Sequence, residues 1–428
     1  MISIAIPLIL LSAMIGVPIA FALMIGPLAA IIVSGDTIFM VTLLQRFYSG
    51  MHQYPILAIP LFLLAGDLLN AGRITDRLIA FASAFVGHWR GGLAQVTNVT
   101  NVIFAGLSGS AVADATALGS VLVPAMEKQG YTRSFGAALT AAGSLIGPII
   151  PPSIIMILYA FVTNVSIGAL FAAGVVPGLM MGGGLMLMTA YMARERNFPW
   201  NPARPTLPEF INACWRGLPA VIMPVGVIGG ILGGFFTATE AAAVATAYAI
   251  ALGFFVTKEL TFRKLMHSVL GAGIASGCIL LIIAAATMFA WLLTILEIPQ
   301  HFTNLVLGMT DSPYVFLLLV NVMLFVVGCF IDAGPAILII APILMPAIAQ
   351  FGIEPVHFAL VMCLNLTIGL ATPPFGMVLF AISGVTKVSV GRIVGDLWPF
   401  LACHVLLVML ITYIPAISLF LPRLLGYI

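Results

Sequence analysis

Charge is what this sequence has least of: 16 Lys and Arg with 14 Asp and Glu, 7% of 428 residues. A soluble protein carries about 25% charged residues, and so few ionic side chains cannot cover a soluble surface of this size. No Lys or Arg precedes Arg46, so the basic start of a secretory signal is missing. The first apolar run, Ile4–Val33, also exceeds the core of such a signal and reads as a retained membrane helix. The five cysteines (Cys214, Cys278, Cys329, Cys363, Cys403) form no C-x-x-C pair and lie in or beside apolar segments. They read as small hydrophobes, not as a disulfide framework or zinc site. There is no G-x-x-x-x-G-K-[ST] run to cradle ATP, and the six histidines show no metal-ligand spacing. The cations behind the net charge of +2 are scattered, so no nucleic-acid partner and no cofactor is expected.

Apolar residues make up 62% of the chain. Their runs extend well past the alternating segments of about 10 residues typical of a membrane barrel, so the expected class is an all-α polytopic membrane protein in a lipid bilayer. Runs long enough to cross are Ile4–Val33, Tyr54–Ala71, Ile167–Ala193, Cys214–Gly233, Ala238–Val256, Val269–Leu296 and Trp398–Leu421. Against this stand 42 Gly and 27 Pro. Helix breaks are costly in lipid unless protein, ion or water satisfies the freed backbone. Two runs, 135–163 and 358–385, carry prolines in mid-membrane and read as broken transmembrane helices. Two more, 93–126 and 314–348, are too long for one crossing and break at Gly106-Leu-Ser-Gly-Ser110 and Gly328-Cys-Phe-Ile-Asp-Ala-Gly-Pro335. These read as re-entrant helical hairpins. The more polar segments Arg73–Arg90 and Leu296–Ser312 read as interfacial amphipathic helices.

The cations test this assignment, since positively charged loops stay cytoplasmic. With nine crossings, two returning hairpins and the N-terminus inside, 14 of the 16 cations fall on the cytoplasmic side. Only Arg46 and Arg423 fall outside, with the C-terminus periplasmic. A hairpin that crossed fully would invert every later loop and degrade the split.

A gapless internal repeat supports the same plan. At an offset of 222, Ile146-Gly147 and Pro151-Pro152 match Ile368-Gly369 and Pro373-Pro374, Gly106 matches Gly328, and 11 identities fall within Gly106–Pro152. Five crossings separate equivalent points, so the copies, 1–212 and 213–428, run in opposite directions. Two inverted-topology repeats, each with a hairpin and a proline-broken helix, are the signature of a secondary transporter with its site near the midplane.

Candidate ligands follow from the breaks. Ser108, Ser110 and Asp114 crowd the first tip, and Asp332, aligned with Ser110, stands in the second. A proline pair leaves carbonyls without donors, so Gly143, Gly147 and Pro148 in one broken helix offer oxygens to a small cation. Asn365, Thr367 and Thr372 do so in the other. Asp332 is the sharpest candidate, because an ionised group at membrane depth is by default functional and no Lys or Arg neighbours it in sequence. Asp114 also suits a helix cap. Glu240, in Thr237-Ala-Thr-Glu240, reads as a capping residue. An ion gradient or another chain must supply the energy.

Leu57-Ala-Ile-Pro-Leu-Phe62 with Ala65-Gly66, the first tip, Ile150-Pro-Pro-Ser153, Thr239-Glu-Ala-Ala-Ala243 and Thr372-Pro-Pro-Phe375 resemble the large membrane subunit of TRAP (tripartite ATP-independent periplasmic) transporters. The likeness covers essentially the whole chain. It implies an elevator-type ion transporter of the bacterial inner membrane that imports a carboxylate with Na⁺ as coupling ion. A small four-helix membrane subunit and a periplasmic substrate-binding protein are the implied partners. It further implies one sodium site at Ser108 or Ser110 with the Gly143–Pro148 carbonyls, and a second at Asp332 with Asn365–Thr372. Ser153, with Asp114, Pro152 and Pro374, is the candidate for substrate contact. The alternatives are a stand-alone anion/Na⁺ symporter and a membrane-embedded enzyme or scaffold.

Overall fold

The computed structural model describes residues 2–35, 37–200 and 202–428, and these form helices joined by short links with no strand among them. The chain opens with α1 (Ile2–Met14), α2 (Ile19–Ser34) and α3 (Thr37–Met51). A first copy of the repeat follows: α4 (Ala58–Ala71), α5 (Ile74–Val86), α6 (Gly92–Ser108), α7 (Ala111–Lys128), α8 (Arg133–Ser144), α9 (Ile154–Thr163) and α10 (Ile167–Glu195). Two helices, α11 (Leu207–Leu232) and α12 (Ala238–Ala251), lead to the second copy. That copy comprises α13 (Phe262–Ile295), α14 (Ile298–Leu307), α15 (Pro313–Phe330), α16 (Ala333–Gln350), α17 (Pro355–Gly369), α18 (Met377–Thr386) and α19 (Val390–Tyr413). A short α20 (Pro415–Leu424) closes the chain.

The offset of 222 survives in three dimensions. Adding it to α7 (111–128) gives 333–350, the bounds of α16, and adding it to α6 (92–108) gives 314–330 against 313–330 for α15. The cis bonds Pro151-Pro152 and Pro373-Pro374 stand at the same offset. Both hairpins return to the side they leave. Thr97 meets Met126 across the first mouth, Oγ1 to Sδ 3.6 Å, and Phe316 stacks on Phe351 across the second with ring centroids 4.6 Å apart.

The mouths lie at opposite ends of the molecule. Arg73 pairs with Glu259 at 3.8 Å and Arg77 donates to the Val256 carbonyl, at the start of α13. Arg90 donates to Asn197, Arg133 pairs with Glu127, and Arg196 pairs with Asp396 at 2.8 Å. The loops grouped by sequence as cation-bearing thus touch one another on one face, and the first mouth opens among them. The second mouth follows α14, beyond the far end of the 34-residue α13, whose length of about 50 Å separates the faces. The repeats are therefore inverted.

Two runs differ from their expected form. Ile4–Val33 is not one crossing. Gly16, at φ 91, and Pro18 break it into α1 and α2. These pack antiparallel, since a Cβ on Gly26 would lie 2.5 Å from Ile9 and 3.0 Å from the Ala5 carbonyl. After this hairpin α3, with no counterpart in the crossing count, takes up the chain before α4. Trp398–Leu421 likewise splits at Pro415, and α20 leaves α19 to lie against α10. Neither change moves a cation between faces.

Candidate substrate and cation site

Each hairpin turns at a different kind of tip. In the first, Gly109 adopts φ +63, and the Ser110 hydroxyl caps α7 by accepting from the Ala113 N–H at 3.5 Å. In the second, Ile331 is extended, and the Asp332 carboxylate caps α16 by accepting from the Ala333 N–H at 2.9 Å. Glycine is needed in the first alone: a Cβ on Gly109 would also lie 2.5 Å from the Pro152 carbonyl.

The two tips meet. A cavity of about 270 Å³ is bounded by Gly109–Val112 from one, Asp332–Pro335 from the other, and Pro148 and Leu370 from the two breaks. Pro148 and Leu370 are repeat mates at the same offset of 222, as are Ser110 and Asp332. Ala275, Ile279 and Ile282 close it from the middle of α13, which sets its depth near mid-membrane. Three helix N-termini, those of α7, α9 and α16, reach its wall through Ala111, Ile154 and Ala333. First-turn N–H groups lack intrahelical acceptors and carry the positive end of the helix dipole, so these termini favour an anion. The Asp332 carboxylate in the same wall opposes one, and no cationic side chain lines it among the described residues.

Behind the first tip lies a buried polar knot. Asp114 is 1% exposed. Ser108 donates its hydroxyl to Asp114 Oδ1 and accepts from the Ser110 N–H at 3.2 Å. Oδ2 has no hydrogen-bond partner among the described residues and points at the broken helix, where a Cβ on Gly147 would stand 2.3 Å from it. Asn101 presses on Gly143 in the same way, at 2.5 Å from an added Cβ, with its own Oδ1 unpartnered. Only glycine fits at either position. A buried carboxylate oxygen without donor or cation is costly, and Oδ2 is such an oxygen. Ser153, fully buried, bridges the break by donating to the Pro148 carbonyl and caps α9 at Met156. Pro152 is buried beneath Gly109.

The second copy is arranged otherwise. Asp332 faces the cavity, and no ion pair reaches it among the described residues. Asn365 turns away toward α15, donating to Asn321 Oδ1 at 2.5 Å, while Asn321 donates to Thr412 at 3.2 Å. The Thr372 hydroxyl donates to its own helix at Ile368, and Thr367 is buried with its hydroxyl unpartnered. Pro374 is exposed beside Phe375, outside the cavity wall. Of the sequence candidates, Ser110, Pro148 and Asp332 share the cavity, and Ser108, Asp114, Gly143 and Gly147 form the knot behind it. Asn101 and Asn321 went unread, although amides in apolar arms are a recognised sign of interhelical bonding.

Inverted hairpins and broken helices enclosing a mid-depth cavity define a membrane transport protein, not an enzyme. The family profile described as "Tripartite ATP-independent periplasmic transporter, DctM component" matches residues 6–417, and the chain belongs to that family of TRAP large permease subunits. It is 39% identical over 401 residues to the C4-dicarboxylate TRAP transporter large permease protein DctM of Pseudomonas aeruginosa, covering 94% of this chain and 93% of that protein. It is 37% identical over 406 residues to the isethionate TRAP transporter permease protein DctMQ of Oleidesulfovibrio alaskensis, covering 95% of this chain and 64% of that longer protein. Its fold is similar to the YdaH transporter of Alcanivorax borkumensis, with TM-score 0.66 at 15% identity over 90% of this chain and 89% of that one.

Proposed function

We propose that this subunit imports an organic acid coupled to Na⁺, moving it across the bacterial inner membrane by an elevator displacement of the two hairpins and broken helices. A small four-helix membrane subunit and a periplasmic binding protein complete the machine. The cation-rich face is cytoplasmic by the positive-inside rule. The C-terminus is then periplasmic, because Tyr427 donates to Ile231 at the far end of α11.

The observation that carries this reading is the cavity's mixed electrostatics. Three helix N-termini favour an anion, yet the Asp332 carboxylate shares the wall and Asp114 lies behind it. Two like charges about 5 Å apart repel by several kcal/mol at protein-like dielectric, so a carboxylate enters only after a cation neutralises the acidic groups. Binding of one ion thereby becomes the condition for the other. The first Na⁺ takes Ser108, Ser110 and Asp114 with the carbonyls of Gly143–Pro148, and the second takes Asp332 with oxygens of the second break, Thr367 and Thr372 among them. Asp114 belongs with the cation rather than the substrate, because its free oxygen faces Gly147. Ser153 holds the Pro148 carbonyl in place beside the substrate. The two permease relatives named above handle a C4-dicarboxylate and isethionate, so an acid with a carboxylate or similar anionic head is the substrate class.

The test is reconstitution of the complete complex in liposomes with binding protein outside. Uptake of labelled succinate, or of another acid from a panel of carboxylates and sulfonates, is expected to rise with an inward Na⁺ gradient. Uptake indifferent to that gradient defeats the coupling. Uptake without the binding protein favours a stand-alone symporter instead.

A further inference from the structure

A second cavity, of about 410 Å³, lies between α13 and α9 beyond the central one. The two lie in succession along one face of α13. Along α13 the wall passes from Ala275, Ile279 and Ile282 in the centre to Ala286, Ala290 and Thr294 at the far end, spaced three or four residues apart on one helix face. Leu338 belongs to both walls and is buried between them. The outer stretch sits at the end of α13 opposite the Arg73–Glu259 pair. It holds one cation, Arg46 of α3, exposed and with no acidic partner among the described residues. Asn164 and Thr294 line the same stretch.

From this we propose that Arg46 marks an outer anion subsite, where an organic acid arriving from the periplasm docks before passing Leu338 into the central cavity. An unpaired guanidinium in a cleft with apolar walls concentrates anions locally and offers the planar fork that a carboxylate or sulfonate accepts. The Asn164 amide supplies a further donor to the head group, whereas the Thr294 hydroxyl already donates to the Ala290 carbonyl at 2.8 Å. The central cavity lacks a cationic side chain, so Arg46 supplies the full charge that the helix N-termini inside do not. The idea rests on periplasm-to-cytoplasm import as proposed above, and the first arm of its test does not depend on knowing the substrate.

That arm measures thiol modification at Thr294→Cys in the full chain, reading the modified peptide by mass so that native cysteines do not interfere. Two methanethiosulfonate reagents of similar size are compared, one bearing a sulfonate and one neutral. Arg46→Gln is expected to lower the sulfonate-to-neutral rate ratio about tenfold, and Arg46→Lys to retain most of it. Gln at 46 with an unchanged ratio overturns the subsite. The second arm follows Na⁺-driven succinate uptake by the complete complex in liposomes of zwitterionic phosphatidylcholine and of anionic phosphatidylglycerol. Arg46→Gln is expected to raise KM about tenfold in both lipids with little change in kcat. An effect confined to anionic lipid assigns Arg46 to a headgroup and refutes the proposal. If the labelling ratio falls while wild-type uptake ignores Na⁺, the subsite stands and the coupling proposed above fails.

Discussion

The two copies of the repeat build the same helices and bury them differently. The first break is enclosed: Pro151, Pro152 and Ser153 are all buried. Gly106 of the tip lies near the Pro151 carbonyl, and Gly174 and Gly178 of α10 admit Ile149 and Ile150. The second break is half open, with Pro374 exposed, Phe375 55% exposed and Met377 48% exposed. Its acidic residue has moved as well. Asp114 lies four residues past Ser110, inside the first copy's packing, whereas Asp332 replaces the Ser110 equivalent at the tip and borders the cavity. Duplication supplied one scaffold, and divergence left one break packed and the other partly open.

The acidic residues sharpen this contrast most. Asp332→Ala is expected to abolish Na⁺-driven uptake, by about 100-fold or more, while the complex still purifies intact, since Asp332 makes only one capping bond. Losing such a cap costs about 1 kcal/mol. Asp114→Ala is expected to lose both uptake and yield, because it empties a fully buried knot and strands the Ser108 hydroxyl. Paired uptake and thermal-unfolding assays distinguish them. Equal loss of stability in both variants erases the distinction between a packed and an open half.

The tips come next. Gly109→Ala places a side chain in the left-handed region, at about 1–2 kcal/mol, and drives its Cβ against the Pro152 carbonyl. Its repeat mate Ile331 is extended at φ −124, so Ile331→Gly only loosens the chain. The expected outcome is a large drop in folded yield for the first and a small one for the second, read by size-exclusion chromatography. Comparable yields would show that the first tip has slack.

This asymmetry marks the limit of what could be read from sequence. The helices of both copies were legible because backbone punctuation is local. Gly109 and Ser110 stop and start a helix wherever they occur, and Pro151-Pro152 and Pro373-Pro374 cannot continue one. The alignment of Ser110 with Asp332 followed from the repeat offset, whereas their meeting in one cavity wall came only from the fold. Cover is not local. Nothing near Phe375 in the chain announces that it stands open, and nothing near Asn365 announces that it turns from the cavity to Asn321. The split of Ile4–Val33 was missed for a related reason. Gly16-Val-Pro18 looks like a tolerable kink in a long apolar run, and only the contact of Gly26 with Ile9 makes it a hairpin. The cation partition survived that miss because the run carries no charge.

The smallest predicted effect tests whether exposure itself matters at the breaks. Replacing a break proline with alanine restores an N–H and lets the helix ladder grow if there is room. At Pro151 there is none: Ile149 and Ile150 are wedged against Gly174 and Gly178, and Pro152 lies under Gly109. Pro151→Ala is therefore expected to keep the break, with uptake within about twofold of wild type. At Pro373 the neighbouring Pro374 and Phe375 are exposed, so packing leaves room for one added turn bond at position 373 before Pro374 stops the ladder. Pro373→Ala is expected to lower uptake about fivefold and to slow hydrogen exchange of the amides at 371–373, as the added bond steadies the last turn. Faster exchange there, or a larger uptake loss for Pro151→Ala, would mean that the prolines themselves hold each break open and that the surrounding packing does not.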